Sequence, residues 1–515
     1  MVSSKSFLAL SLKCLAYSMT VRPSTCSAAA PAAVLPTRRA VVAAARIHEM
    51  ASDLGPQLAG SSSPPTFLAV VVPKTELDVQ LTASAPPTPN TPTNLPQVHL
   101  STTFGLPFLA ISGHHGSITS LASFAHGIQI SMSGFTSIAL TPRGATALIG
   151  GGALSKHITD TLWAAGKHTV TGACECTSLL GPLLGGGHGW LQGRHGLCAD
   201  QLVSARLVLP DGRLVVISAD SAYSDLFWGL RGAGHNFGIV TQVEYKVYDV
   251  ATNGGGVWTY ANLVFAQDKL EAVFGVVNTI TANGTGDIAY IDFVWLQRIP
   301  EIDAVFPVVN LQMVYQGPLA AAQPYIDMYA ALGPANSTVL ETEYTAISTL
   351  TGNGNEGIAC AHGAYYALRF PTGFETYNIT TNRRLFDRFA EITSAQPGFN
   401  NSFFLFEDYS TRAVEAVDAA STAFPDRYNH HLVSPVIIYF DPALSGEAVA
   451  AGRELRGIAG EGRGEAGVAY VNYAFGDEGV GGWYGREGWR GERLRGLKRR
   501  YDPEGRMGFY APIEV

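Results

Sequence analysis

Residues 185–212 read GGGHGWLQGRHGLCADQLVSARLVLPDG, and residues 225–245 read DLFWGLRGAGHNFGIVTQVEY. One hairpin is explicit here: Leu202 to Leu209 and Arg213 to Ser218 are joined by Pro210-Asp211-Gly212, whose three residue types supply turn chemistry. Gln242 to Tyr248 alternates, with Val243, Tyr245 and Val247 on one face, and reads as a half-buried strand. The two glycine clusters, Gly185-Gly186-Gly187-His188-Gly189 and Gly232 to Gly238 with Gly234 and Asn236 between, leave bare backbone that can approach an anionic ligand. A Rossmann site would need strand, glycine turn, helix and then an acidic residue. Trp190, Gly193 and Gly196 follow Gly189 instead, so the dinucleotide fingerprint fails.

Upstream, Phe67 to Val72 reads as a buried strand, and Glu76 to Gln80 opens a helical pattern. Residues 84–104, rich in Pro and Thr, read as an inserted loop or a translated intron. Leu106 to Ile111 is an apolar strand that runs into Ser112-Gly113-His114-His115-Gly116, an imidazole-bearing turn at a strand end. Downstream, Leu270, Val273, Phe274, Val277 and Ile280 recur at helical spacing and stop at Asn283-Gly284. Strands at 288–296 and 433–440 and a helix at 410–421 make residues 251–465 a mixed α/β second domain. A strand at 468–473 and a terminal helix carrying Leu494, Leu497 and Tyr501 complete the chain.

Of the 515 residues, 47% are hydrophobic and 15% charged, which excludes bulk disorder and predicts two or three domains. The net charge of -8 excludes a nucleic-acid partner as the default, and no apolar run is long enough to span a bilayer. Six cysteines are too few for a disulfide-built scaffold, and Cys174-x-Cys176 lacks zinc-knuckle spacing, so no metal is expected. Residues 1–60 read as a targeting or disordered segment. Residues 7–19 resemble a signal h-region, and a transit peptide fits the composition nearly as well. Acceptor sequons at Asn283, Asn336, Asn378 and Asn400 favour secretion, with an intracellular or organellar address as the alternative.

The stretch from Gly185 to Tyr245 closely resembles the berberine-bridge-enzyme-like FAD-linked oxidases. The likeness extends to Val468-Ala-Tyr-Val-Asn-Tyr473, Trp483-Tyr-Gly and Leu497 to Pro503, and covers residues 64–513, patchily before Leu106. The resemblance implies an α+β fold: a two-part PCMH-type FAD-binding domain at 64–250, an inserted α/β substrate domain at 251–465, and a C-terminal segment at 466–515 that returns to the FAD domain. It also implies hydride transfer from an alcohol, sugar or specialised metabolite to flavin, with oxygen as acceptor. The competing expectation is a flavin-poor family member that serves as a binding or surface protein.

By the same resemblance, FAD contacts fall on Ser112, Gly113, His114, His115, Gly116, Gly185, Gly186, Gly187, Gly189, Gly234, Asn236, Gly238, Ile239 and Val240, and His115 forms a covalent link. His114 stands where the family carries glycine, which strains that tether. A second link would use Cys174, with Cys176 as the competing assignment. Tyr470, Asn472 and Tyr473 match the family's active-site strand, although a tyrosine of ordinary pKa is a poor base and packing is an equal reading. His431 lies near where relatives place a catalytic side chain. Glu407, flanked by Phe406 and Tyr409, is a carboxylate that burial would tune as a base, unless strand alternation turns it to solvent. His188, His195 and His235 lack metal-ligand spacing and are expected to line the cofactor pocket.

Overall fold

The computed structural model describes residues 65–83, 101, 105–281, 286–361, 365–428, 431–461 and 468–515. The 1–60 segment expected to be targeting or disordered, nearly all of the 84–104 stretch and the Asn283-Gly284 stop lie outside these residues.

Strands β1 (Phe67–Val71), β2 (Phe108–Ile111) and β3 (Gly127–Ser131) form a parallel sheet in the order β1-β3-β2. Next come β4 (Ile138–Leu140), β5 (Thr146–Gly150), β6 (Lys167–His168), β7 (Leu202–Val208), β8 (Leu214–Ser218), β9 (Ile239–Lys246) and β10 (Tyr248–Asp249). Five of them make an antiparallel sheet, β4-β5-β9-β7-β8, while β6 pairs with β10. The β7-β8 hairpin closes where its Pro-Asp-Gly turn requires, with Val208 opposite Leu214. Val243, Tyr245 and Val247 are all buried in the core shared with the rest of this half.

The inserted half is one large antiparallel sheet. It contains β11 (Val257–Phe265), β12 (Tyr290–Gln297), β13 (Val308–Tyr315), β14 (Asn336–Glu343), β15 (Tyr366–Arg369), β16 (Thr372–Phe374), β17 (Phe403–Tyr409) and β18 (His431–Tyr439). The order is β14-β11-β13-β12-β17-β18-β15, and β16 also pairs with β18. Helices Leu270–Ile280, Leu319–Ala330, Ile379–Ala395 and Ser445–Ala459 cover one face. The first of these buries Leu270, Val273, Phe274 and Val277, each such side chain contributing roughly 1.5–3 kcal/mol on removal from water.

Because side chains alternate across a strand, this sheet has two different faces. Strand β12 sends Tyr290, Val294 and Leu296 into the helix-side core. Its Phe293, Trp295 and Gln297 face the other half of the molecule. Residues 410–421 do not form the expected helix. Arg412–Glu415 is a single turn, and Asp418 then accepts from Ala420 N–H (3.0 Å) while Ser421 donates to Asp418 C=O (2.6 Å). Such local side-chain bonds compete with helix continuation.

The C-terminal segment returns to the first half. The buried Asn236 amide donates to Tyr484 Oη (2.9 Å) and Ala511 C=O (3.2 Å) and accepts from Ile513 N–H (2.9 Å). Lys498, fully buried, donates to Asn236 C=O (3.1 Å) and ion-pairs with Asp502 (2.7 Å). A second buried pair joins the two halves: Arg427 donates to Asp200 Oδ1 (2.8 Å) and Oδ2 (3.1 Å), with 1% and 5% of the side chains exposed. The expected strand at 468–473 is instead irregular chain that ends in a 3-10 turn, Val471–Tyr473.

Candidate functional site

Between the halves lies a cavity of about 470 Å³, within the usual range for small-molecule and cofactor sites. One wall is the turn after β2: Ser112, Gly113, His114, His115 and Gly116 all line it. Gly113 is required by close approach, since a Cβ there would sit 2.6 Å from Ser178 N and 2.8 Å from Cys176 O. Among the described residues, no acceptor takes the backbone N–H of Gly113, Gly116 or Ser117. A run of free amides at the end of a strand is an anion cradle, and Gly238, Ile239 and Val240 line the same space.

His114 holds φ +53°, a left-handed conformation that L side chains enter at a cost of about 1–2 kcal/mol. The strain expected from a histidine in a glycine position is therefore present. His114→Gly removes that penalty and adds roughly 0.5–1 kcal/mol of unfolded-chain entropy, so the net expectation is a gain of about 0.5–1 kcal/mol. Denaturant midpoints at matched flavin content measure it. A midpoint at or below wild type would show that the imidazole's contacts outweigh the strain.

The triple glycine does something other than expected. Gly185, Gly186, Gly187, Gly189, Gly234 and Asn236 are absent from the cavity lining. Gly186 (φ +108°) lies where a Cβ would be 2.4 Å from the Phe424 ring, and Gly187 (φ +88°) where it would be 2.5 Å from Cys198 Cβ. Gly185, Gly189 and Gly234 likewise admit Asn472, Thr171 and Leu184. These glycines let protein segments cross closely, and Asn236 is occupied by the C-terminal segment. The glycine-bearing backbone that does line the cavity is that of residues 112–117 and 238–240.

The cysteine assignments separate. Cys176 is bonded to Cys360, so it offers no thiolate to a cofactor. Cys174 lines the cavity, and its thiol donates to Asn353 Oδ1 (3.4 Å). Burial pushes that thiol up to about 11, which makes it an unreactive S–H at neutral pH.

The opposite wall is the open face of the eight-stranded sheet together with the 470–473 segment. Glu407 on β17 is 3% exposed and lines the cavity. Tyr409 Oη donates to its Oε2 (2.9 Å), while Oε1 is buried with no protein partner. Burial raises its pKa, against the opposing pull of the Arg369 charge and of the Tyr473 and Tyr409 hydroxyls. The competing expectation of a solvent-facing Glu407 is thus overturned.

Tyr470 and Asn472 form a braced corner. Asn472 Nδ2 donates to Tyr470 Oη (2.8 Å) and Pro182 C=O (2.9 Å), and His188 N–H also points at Tyr470 Oη (3.4 Å). Burial raises the pKa of both Tyr470 and Tyr473, so neither is a base near neutrality. His188 Nδ1 meets Gln192 Oε1 at 2.7 Å, which puts the proton on Nδ1 and leaves Nε2 an acceptor. Burial lowers the pKa of His188 and of His235 to about 4, so both line the cavity as neutral rings. His195 does not line it and stacks on Tyr248, with ring centroids 3.6 Å apart.

His431 is on the wrong face. Strand β18 turns it with Val433 and Ile437 toward the helices. There it contacts Asp408, whose burial raises its pKa to about 7, and lies over the Tyr377 ring at 4.1 Å. Its neighbour in the next strand, Glu407, is paired in register with Leu432, one residue along. A one-residue difference reverses the face. Residues that sequence reasoning missed include Arg369, Trp295, Asn310 and Gln312. For Asn310 and Gln312 the signal was polarity at alternate positions of an apolar strand. Among the described residues no cluster of His, Cys, Asp or Glu is arranged to hold a metal ion, and no helix is long and apolar enough to cross a membrane.

A cavity lined by a glycine-bearing turn with free amides and by a buried carboxyl fits a cofactor that presents a ring to a substrate. A family profile described as FAD binding domain matches residues 97–218. The FAD-linked oxidoreductase chyH of Penicillium rubens is 39% identical over 453 residues, covering 87% of this chain and 86% of its own. The chain belongs to the FAD-linked oxidoreductases.

Two solved structures share the fold of this FAD-linked oxidoreductase. The BBE-like 1 protein of Physcomitrella patens superposes with TM-score 0.73 at 19% identity, covering 89% of this chain and 94% of that one. The xylooligosaccharide oxidase of Myceliophthora thermophila C1 does so with TM-score 0.73 at 20% identity, covering 92% and 98%. The fold is therefore the berberine-bridge-enzyme-like arrangement, and the FAD binding domain match makes FAD its cofactor.

Proposed function

We propose that this FAD-linked oxidoreductase removes hydride from a carbinol or amine carbon of a small molecule, with oxygen as the final electron acceptor. FAD, when bound, supplies the hydride-accepting ring. The chain's own task is to hold the substrate and accept its proton, and Glu407 carries the reading. Its carboxyl is held by Tyr409 through Oε2, and Oε1, on a side chain that lines the cavity, is buried with no hydrogen-bond partner among the described residues. A desolvated carboxylate is a stronger base than one in water, so the proton leaving the substrate hydroxyl or amine transfers to Oε1.

The braced Tyr470–Asn472–Pro182 corner fixes the part of the same wall that carries the 470–473 segment. His188 Nε2, buried and neutral, presents an acceptor that orients a substrate hydroxyl. His115, in the amide-rich turn, is the residue proposed to tether the flavin covalently, and Cys174 remains a protonated thiol. Support for a single tether comes from the high pKa of Cys174 and from the consumption of Cys176 in its disulfide.

Acid precipitation of the purified protein tests this. The expected result is yellow colour in the pellet for wild type and in the supernatant for His115→Ala, with hydrogen peroxide released on turnover in air. A colourless preparation would overturn the oxidase reading, and pellet-bound flavin in His115→Ala would move the tether elsewhere.

A further inference from the structure

Five buried polar atoms that no protein group satisfies converge on the cavity face of the large sheet: Trp295 Nε1, Asn310 Oδ1, Gln312 Oε1, Arg369 Nη1 and Glu407 Oε1. Buried polar groups are almost always hydrogen-bonded in native proteins. A cluster of orphans around one cavity therefore outlines what the missing ligand must offer. Glu407 is accounted for by the proton transfer above. The other four are not.

Arg369 is the decisive one. It ends β15 and sits over the Tyr473 ring, with its guanidinium carbon 4.5 Å from the centroid. Stacking of this kind leaves the edge N–H groups free for a planar, bidentate acceptor. Among the described residues no acceptor hydrogen-bonds to that guanidinium, and its Nη1 is buried. Glu407 is the nearby carboxyl, but the two form no ion pair, and Glu407 Oε2 already takes the Tyr409 hydroxyl.

Around this charge the floor is aromatic and aliphatic: Phe293, Trp295, Phe403, Leu405, Val436 and Ile438. Cross-strand register sets the layout. Trp295 stands between Asn310 on β13 and Leu405 on β17, and Arg369 is opposite Val436 on β18. From β13 to β15 there are four strand spacings, or about 19 Å between the backbone positions of the amide end and the arginine end. Sugar sites need a hydroxyl partner at almost every ring carbon. Between the Asn310–Gln312 end and the Arg369 end this floor offers only Trp295 Nε1, Gln297 and Glu407 as polar groups, too few for that pattern.

We propose that the substrate is an elongated aromatic compound bearing a carboxylate, with Arg369 gripping the carboxylate and the Phe293-Trp295-Leu405 floor taking the ring. This deepens, and rests on, the reading of the cavity as the oxidation site. Asn310 and Gln312 then meet hydrogen-bonding substituents at the far end, and Arg369 is a specificity determinant that takes no part in proton transfer.

The test titrates the holoenzyme at pH 7 with 3-phenylpropionate, its uncharged amide and xylobiose, following perturbation of the flavin bands. The acid is expected to bind about 10- to 100-fold more tightly than the amide, the range for a charge-assisted pair. Arg369→Met brings acid and amide together, and Arg369→Lys retains part of the preference, which separates lost charge from lost fold. Equal binding of acid and amide by wild type, or tighter binding of xylobiose, overturns the proposal. So does flavin loss in Arg369→Met with the acid preference intact, because the arginine would then serve the cofactor. Intrinsic tryptophan fluorescence follows the same titration in protein without flavin. A missing flavin therefore counts against the oxidase reading alone, and the titration still decides the substrate class.

Discussion

Glu407→Gln lowers kcat by about 10²- to 10⁴-fold, the span attributed to a positioned general base, while flavin content stays at the wild-type level. The substitution keeps the shape and the Tyr409 contact and removes the proton acceptor. The pH profile provides the second readout. A base must be ionised to act, and burial raises the pKa of Glu407. Wild-type kcat/KM therefore falls as pH drops through that raised value, above the ordinary carboxylate range, and this acid limb disappears in Glu407→Gln.

Stability moves the other way. A carboxyl whose folded pKa is raised weakens the fold as pH climbs from its unfolded to its folded pKa. The neutral amide escapes that cost, so Glu407→Gln melts no lower than wild type at pH 7. Wild-type rates in Glu407→Gln under stopped-flow reduction would remove this residue from the chemistry.

Asp200→Ala costs about 3–5 kcal/mol of folding stability, the figure for stripping one partner from a buried pair. Arg427 would keep its bonds to Val414 C=O (3.0 Å) and Thr422 Oγ1 (3.1 Å) but carry an uncompensated charge in the interior. The loss has a second part. Asp200 Oδ2 accepts from Leu197 N–H (2.9 Å), and the following amides of Cys198 and Ala199 donate to Gly187 and Gly186 (2.8 Å each). The glycine crossing beneath the cavity is thus held from this side chain. Urea denaturation measures the change. A loss under about 1 kcal/mol would mean that water enters to solvate Arg427, as at an exposed pair.

Local chemistry made part of this molecule readable. Pro210-Asp211-Gly212 closes its hairpin, and Leu270 to Ile280 is a helix over the span its apolar spacing gave. The turn at 112–116 and the Gly238–Val240 strand start reach the cavity as the family resemblance implied. Parity in the large sheet was not readable, because both of its faces are covered. In β17, Phe404 through Tyr409 are all buried, so no polar alternation marks which of Glu407 and Asp408 faces the cavity. His431 failed for the same reason.

The triple glycine misled differently. Bare backbone permits close approach by anything, and here the neighbours are Phe424, Cys198 and Asn472. Arg369 left no pattern, because four residues of β15 are too few to establish a period.

The Cys176–Cys360 bond joins segments 184 residues apart, one from each half, and is flanked by Thr177, Ala359 and Ala361, which line the cavity. Cys174 lies two positions from one of these sulfurs, and both Cys174 and Cys360 contact Asn353. The wall is thus a matter of where the chain matures as well as of how it folds. An oxidising compartment seals it with Cys174 left over. Production in a reducing cytosol leaves three thiols along one wall, with Cys174 placed to compete for Cys360. Two batches of identical sequence can then differ in the shape of that wall, and a count of free thiols beside each activity measurement tells them apart.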